Sequence, residues 1–266
     1  MHLPTCLRRP VVTALGLLAP FATAPAAPAA DPGAAPAQAV HVAAEAAASA
    51  RTYPTAIARS FTFNYLMQRG GLRGSCELSW ARTGGKYEAR LKGTVAGFTV
   101  LDWASSGGFD AAGVAPSLYV EHRLGKSDRD VRFRKAESRI VFSGTRSSDI
   151  PFVAGVQDRV SWLVQLPAIL AADPAKGRAG TRVALYVVGT RGRAGDWVFQ
   201  SEGRETIKTP MGTLHTVKWT RQAGKGDDLE AEVWLDVERH YLPVRIRLTL
   251  AGSEAALDMT LADASP

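Results

Sequence analysis

The chain has 266 residues, 46% hydrophobic and 21% charged, which is enough apolar material for a core without a disulfide or metal staple. Its 32 basic and 25 acidic residues give a net charge of +7. That excess suits anionic lipid head groups or acidic polysaccharide, but it is spread along the chain rather than gathered into a basic arm, which argues against nucleic acid as a partner.

The first 29 residues have the layout of a secretory signal peptide. Arg8 and Arg9 supply the positive region, Val11 to Leu18 the apolar stretch, and Ala27-Pro28-Ala29 the small residues of a cleavage site. Without Arg8 and Arg9 the remaining chain carries +5. The apolar stretch is well short of the ~20 residues that span a bilayer. Cys6 precedes it and no cysteine follows it closely, so the leader is not of the lipoprotein type. Export to the periplasm without lipidation is expected, with Cys76 as the only thiol left, read as a small apolar strand residue. Residues 30–51 are almost wholly Ala, Pro and small polar residues, too poor in large side chains to offset the entropy of ordering. They read as a flexible linker ahead of a single β-rich domain at 52–263.

From Phe61 onward the apolar residues alternate with polar ones. Phe61, Phe63, Tyr65 and Met67 share one face; Leu78 and Trp80, then Tyr87, Ala89 and Leu91, repeat the pattern, as do Val131 and Phe133. It continues in Val183, Leu185 and Val187, in Val217 and Trp219, in Val233, Leu235 and Val237, in Val244, Ile246 and Leu248, and in Leu257, Met259 and Leu261. Gly70-Gly71, Gly84-Gly85, the stretch from Gly189 to Gly195, and Thr209-Pro210-Met211-Gly212 supply turns. The expected fold is mainly β: a large curved antiparallel sheet, or half-open barrel, of about twelve strands.

Asp158 to Ala172 breaks the rhythm and reads as a helix, started by Asp158 and stopped at Asp173-Pro174, with Pro167 expected to kink it. Val160, Trp162, Leu163, Val164, Leu166, Ile169 and Leu170 leave almost no polar face, so the helix should cover or plug the concave side of the sheet.

Recognisable chemistry is sparse. His122, His215 and His240 are far apart in sequence and lack metal-site spacing, and there is no Gly-x-Ser-x-Gly elbow. Gly125-Lys126-Ser127 matches the end of a phosphate loop, but Val120 stands where the first glycine belongs. Asp227, Asp228, Glu230 and Glu232 read as a hairpin tip and a wet strand face. No catalytic residue, metal ligand or cofactor is assigned. Two features point to binding. The helix residues Trp162, Leu166 and Ile169 could line an apolar cavity, and Arg132 and Arg134, within the basic run from Arg123 to Arg139, could meet anionic head groups.

Three segments together resemble the bacterial family called domain of unknown function 3108: Gly155-Val156-Gln157-Asp158-Arg159-Val160-Ser161, Thr209-Pro210-Met211-Gly212-Thr213, and His240-Tyr241-Leu242-Pro243-Val244-Arg245-Ile246. The likeness runs from about Tyr53 to Leu261 and implies an exported β-rich domain; it brings no catalytic residues. The architecture is more loosely similar to periplasmic lipoprotein and lipid carriers. The leading expectation is a non-enzymatic periplasmic binding or carrier protein for a lipid or lipid-like envelope molecule, with peripheral membrane contact. An envelope scaffold that binds another protein and a hydrolase of unrecognised type stand as alternatives.

Overall fold

The computed structural model describes residues 52–123, 125–143, 149–224, 229–250, 253 and 255–265; the expected leader and linker lie outside them. The described residues form one open, curved sheet of fifteen strands. In chain order these are β1 (Phe61–Arg69), β2 (Leu72–Thr83), β3 (Lys86–Val95), β4 (Phe98–Asp110), β5 (Gly113–Glu121), β6 (Arg129–Arg134), β7 (Arg139–Phe142) and β8 (Ile150–Pro151). After β9 (Gln157–Asp158) comes α1 (Trp162–Ala172), and then β10 (Arg182–Val188), β11 (Ala194–Thr209), β12 (Gly212–Arg221), β13 (Leu229–Asp236), β14 (Pro243–Leu250) and β15 (Leu257–Ser265).

Every pairing is antiparallel except β9 with β10, and the order runs β8 through β1, then β15 through β9. The first and last strands of that order are therefore the two-residue β8 and β9, joined in sequence by residues 152–156 alone. Edges this short offer little for another chain to pair with. The count exceeds the expected twelve because two-residue strands are too short to carry a period, and because β4 and β5 contain a register shift between Ser106 and Gly107 that breaks their alternation.

The alternating apolar residues turn inward as read. Phe61, Phe63, Tyr65 and Met67 of β1 are buried, as are Leu78 and Trp80 of β2 and Tyr87, Ala89 and Leu91 of β3. Trp80 stacks on Tyr87 with ring centroids 4.8 Å apart. Cys76 lies in the same core, where burial pushes its thiol up to about 12. Each large side chain so buried contributes about 1.5–3 kcal/mol.

The helix begins at Trp162, four residues later than expected, because Gln157 and Asp158 pair with Val187 and Val188 as β9. It continues through Pro167 to Ala172, and Trp162 to Leu170 are all buried. Gln165 ties it to the β4–β5 turn: its Oε1 accepts from Val114 N at 2.9 Å, and its Nε2 donates to Ala112 O at 2.6 Å. Ala56, in the segment leading into β1, donates its amide to Ala168 O at 2.9 Å.

Successive antiparallel connections alternate between the two ends of the sheet. The β1–β2, β3–β4, β5–β6, β10–β11, β12–β13 and β14–β15 connections thus share one end. The β4–β5 turn that Gln165 holds belongs to the other.

Candidate functional site

At the first of these ends lies a cavity of about 610 Å³. Its walls are apolar, with Met67, Val95, Leu101, Trp103, Leu248 and Leu257 contributed by β1, β3, β4, β14 and β15. These residues lie near the ends of inward-facing rows, where the strands run past the last packed layer of the core. A second group of lining residues is basic: Arg69, Arg123, Lys126, Arg159 and Arg191, against the acidic Asp102 and Glu121. Asp102 is already committed, since its carboxylate accepts from Arg90 Nε at 2.7 Å and Nη2 at 2.6 Å. Burial opposes its ionisation, but the Arg90 guanidinium outweighs that and holds the carboxyl below its ordinary range. Glu121 accepts from the Tyr119 hydroxyl at 3.2 Å. The mouth therefore carries a positive field around apolar walls.

Besides Asp102, the buried polar members of the lining are Arg159 and Thr190. The Thr190 hydroxyl is fully enclosed and has no hydrogen-bond partner. A buried hydroxyl left in that state costs about 1–3 kcal/mol. The Arg159 guanidinium lies against the backbone of Gly189, where an added Cβ would come within 2.8 Å of Nε. Glycine at 189 is what leaves the arginine its place.

Beneath the cavity the segment 155–161 forms a polar knot inside the sheet. Asp158 Oδ1 accepts from the amides of Val160 and Ser161, each at 2.8 Å, and Ser161 Oγ accepts from the Asp158 amide at 2.9 Å. This reciprocal arrangement caps the turn entering α1 and satisfies amides that the helix cannot. Asp158 Oδ2 accepts from Ser105 Oγ at 2.5 Å, and Ser105 Oγ is 2.9 Å from the Tyr87 hydroxyl. Gln157 Nε2 donates to Val114 O at 2.8 Å. Burial pushes the Asp158 carboxyl up to about 6 despite these donors.

None of the five residues singled out from sequence lines the cavity. Trp162, Leu166 and Ile169 are packed core: Trp162 stacks on Phe199 at 5.0 Å and sits 6.0 Å from Trp197. The helix lacks a polar face because it is enclosed on all sides. Arg132 and Arg134 alternate with the inward Val131 and Phe133 and so face outward, where Arg132 Nε bonds Asp130 at 3.1 Å and Arg134 Nη1 bonds Glu137 at 3.1 Å. The basic run reaches the site instead through Arg123 and Lys126, which precede β6. What sequence reading missed was the set of strand ends; the signal available was Leu72 and Phe98, apolar residues directly after turn glycines.

The lining contains no serine or cysteine, and His122, which does line the cavity, is 2.8 Å from Asp128. Among the described residues no group of three His, Cys, Asp or Glu is placed to hold a metal ion. No described helix is long and apolar enough to cross a membrane. The cavity itself presents an apolar compartment with a basic rim.

A comparison with curated proteins found no match. Among solved structures, the chain is similar to a β-barrel-like protein of the domain of unknown function DUF1849 from Brucella abortus, with a TM-score of 0.52 at 9% identity, over 79% of this chain and 99% of that one. The likeness is one of fold. A slighter overlap, with a TM-score of 0.33 at 10% identity, covers 86% of this chain and 58% of MucB. The family model described as a protein of unknown function, DUF3108, matches residues 77–260, and the chain belongs to that family.

Proposed function

We propose that the protein is exported to the periplasm and there binds an amphiphilic, lipid or lipid-like molecule with an anionic head group, without transforming it. The supporting observation is the cavity of about 610 Å³, within the size range of small-ligand sites, with apolar walls and more basic than acidic lining residues. An acyl chain would lie against Leu101, Trp103 and Leu257, and the head group would meet Arg123, Lys126, Arg159 and Arg191. In this reading α1 fills the other end of the interior and gives the cavity a rigid floor, rather than lining it. A lipid-like ligand is favoured over a polar one because filling the cavity with water would leave the wall residues wet, at about 25 cal/mol for each Å².

Titration with 11-(dansylamino)undecanoic acid, an anionic fluorescent amphiphile, tests this. The wild-type protein should enhance dansyl emission saturably. Leu101→Glu places a carboxylate in the apolar wall and should weaken binding by about tenfold or more, a cost of roughly 1.4 kcal/mol or more. Absence of saturable binding by the wild type, or equal binding by a folded Leu101→Glu protein, contradicts the reading.

A further inference from the structure

Six large apolar side chains stand exposed on the described surface: Leu66, Leu72, Phe98, Val100, Val198 and Met211. Scattered exposure of this kind is ordinary, but a contiguous group is not. Leu72, Phe98 and Val100 are 62%, 67% and 58% exposed, and all three belong to the β1–β2 and β3–β4 hairpins at the mouth of the cavity. Leu72 and Val100 are themselves part of its lining. Phe98 pairs across the hairpin with Val95, another lining residue, so the two side chains share a face. The apolar wall therefore continues outward, over the rim, onto the hairpin tips.

The β3–β4 tip is held stiffly. Only Ala96 and Gly97 connect the strands, with φ of 48° and 82°, the both-positive geometry of a tight hairpin turn. The geometry is natural for Gly97 and unfavourable for Ala96, and it holds Phe98 out at the tip. A floppy loop could fold its phenylalanine back into the core; this one cannot.

The charges beside the tips identify what covers them. Arg69 and Arg73 flank the β1–β2 turn, and Arg123 and Lys126 stand in the β5–β6 connection across the mouth. Of the acidic groups at this end, Asp102 is taken by Arg90, Asp128 lies against His122, and Glu121 accepts from the Tyr119 hydroxyl, leaving the basic side chains in excess. Apolar tips ringed by basic side chains match the boundary of an anionic bilayer, where apolar groups enter ~5–10 Å below the head groups and Lys and Arg meet the phosphates. We infer that this end of the sheet docks on an anionic lipid bilayer, with Leu72, Phe98 and Val100 immersed and Arg69, Arg73, Arg123 and Lys126 at the phosphate level. The cavity then opens onto the membrane, and an acyl chain passes between them without crossing water.

Flotation of the exported protein with vesicles tests the docking separately from the ligand site, because Phe98 and Arg73 do not line the cavity. Wild type should float with vesicles of phosphatidylglycerol and phosphatidylethanolamine, less so at high salt, and stay down with phosphatidylcholine alone. Phe98→Asp and Arg73→Glu should each lower the bound fraction, Phe98→Asp by about tenfold. Both should keep the wild-type melting temperature and dansyl-undecanoate affinity, since both positions are exposed. Wild type that binds dansyl-undecanoate but does not float overturns the docking and leaves the ligand site standing. Flotation without probe binding does the reverse. A wild-type dimer that Phe98→Asp makes monomeric, with no vesicle binding, would assign the tips to a second copy and also overturn the docking.

Discussion

Ser105 on β4 donates its hydroxyl to Asp158 on β9 at 2.5 Å, joining residues 53 positions apart in sequence deep inside the sheet. The bond links the middle of one half of the fold to the edge strand that leads into α1. With the serine proton directed at the carboxylate, the Tyr87 hydroxyl is left to donate to Ser105, so three strands meet at one buried acid.

That acid makes stability depend on pH. Burial raises the folded Asp158 pKa to about 6, from 3.8 for the free group. Between those values the folded protein binds more protons than the unfolded chain, so the stability this group contributes is greatest below pH 3.8 and is lost as pH rises through 6. The difference is about 3 kcal/mol. Asp158→Asn keeps an acceptor for the Val160 and Ser161 amides but cannot ionise. Urea melts from pH 4 to pH 7 should show the wild type falling relative to this variant; parallel curves would contradict the assignment.

Gly189→Ala should disturb ligand binding rather than folding. The new Cβ would press on the Arg159 guanidinium, and the backbone there is not in the left-handed region. Dansyl-undecanoate affinity should fall by several fold, with a smaller effect on an uncharged dansyl amide of the same length. Equal losses for both probes would remove Arg159 from head-group recognition.

Trp162→Ala should cost about 3–5 kcal/mol, as for other buried aromatics, because it vacates the stack on Phe199. The folded fraction should bind dansyl-undecanoate as wild type does. A small stability loss with altered probe binding would return the helix to the ligand site.

The exported protein should begin near Ala30 or Asp31, after Ala27-Pro28-Ala29. N-terminal sequencing of periplasmic material checks this. An intact Met1 chain recovered from the membrane fraction would contradict it.

The sheet was legible because one dry face and one wet face impose a period of two, and Phe61 to Met67 or Val244 to Leu248 carry it without interruption. The helix was legible as an apolar segment, but its start was not. Asp158 is both a strand residue paired with Val188 and the cap of the turn that follows, and only tertiary pairing separates the two roles. The site was the least legible part. A fully apolar helix has the same composition whether it lines a cavity or fills a core, and Trp162 does the second. The cavity walls come instead from strand ends such as Leu101 and Leu257, residues far apart in sequence that the topology gathers at one end. Arg159 and Thr190 were hidden for a further reason: their significance lies in burial beside Gly189, which no local pattern encodes.

Native mass spectrometry of protein purified without detergent from its own periplasm reads the occupant of the cavity. Wild type should carry a bound species that collisional activation releases as an anion, and a Leu101→Glu protein prepared in the same way should lack it. A mass equal to the polypeptide alone in the wild type, unchanged after incubation with phosphatidylglycerol, would contradict amphiphile binding in the cavity.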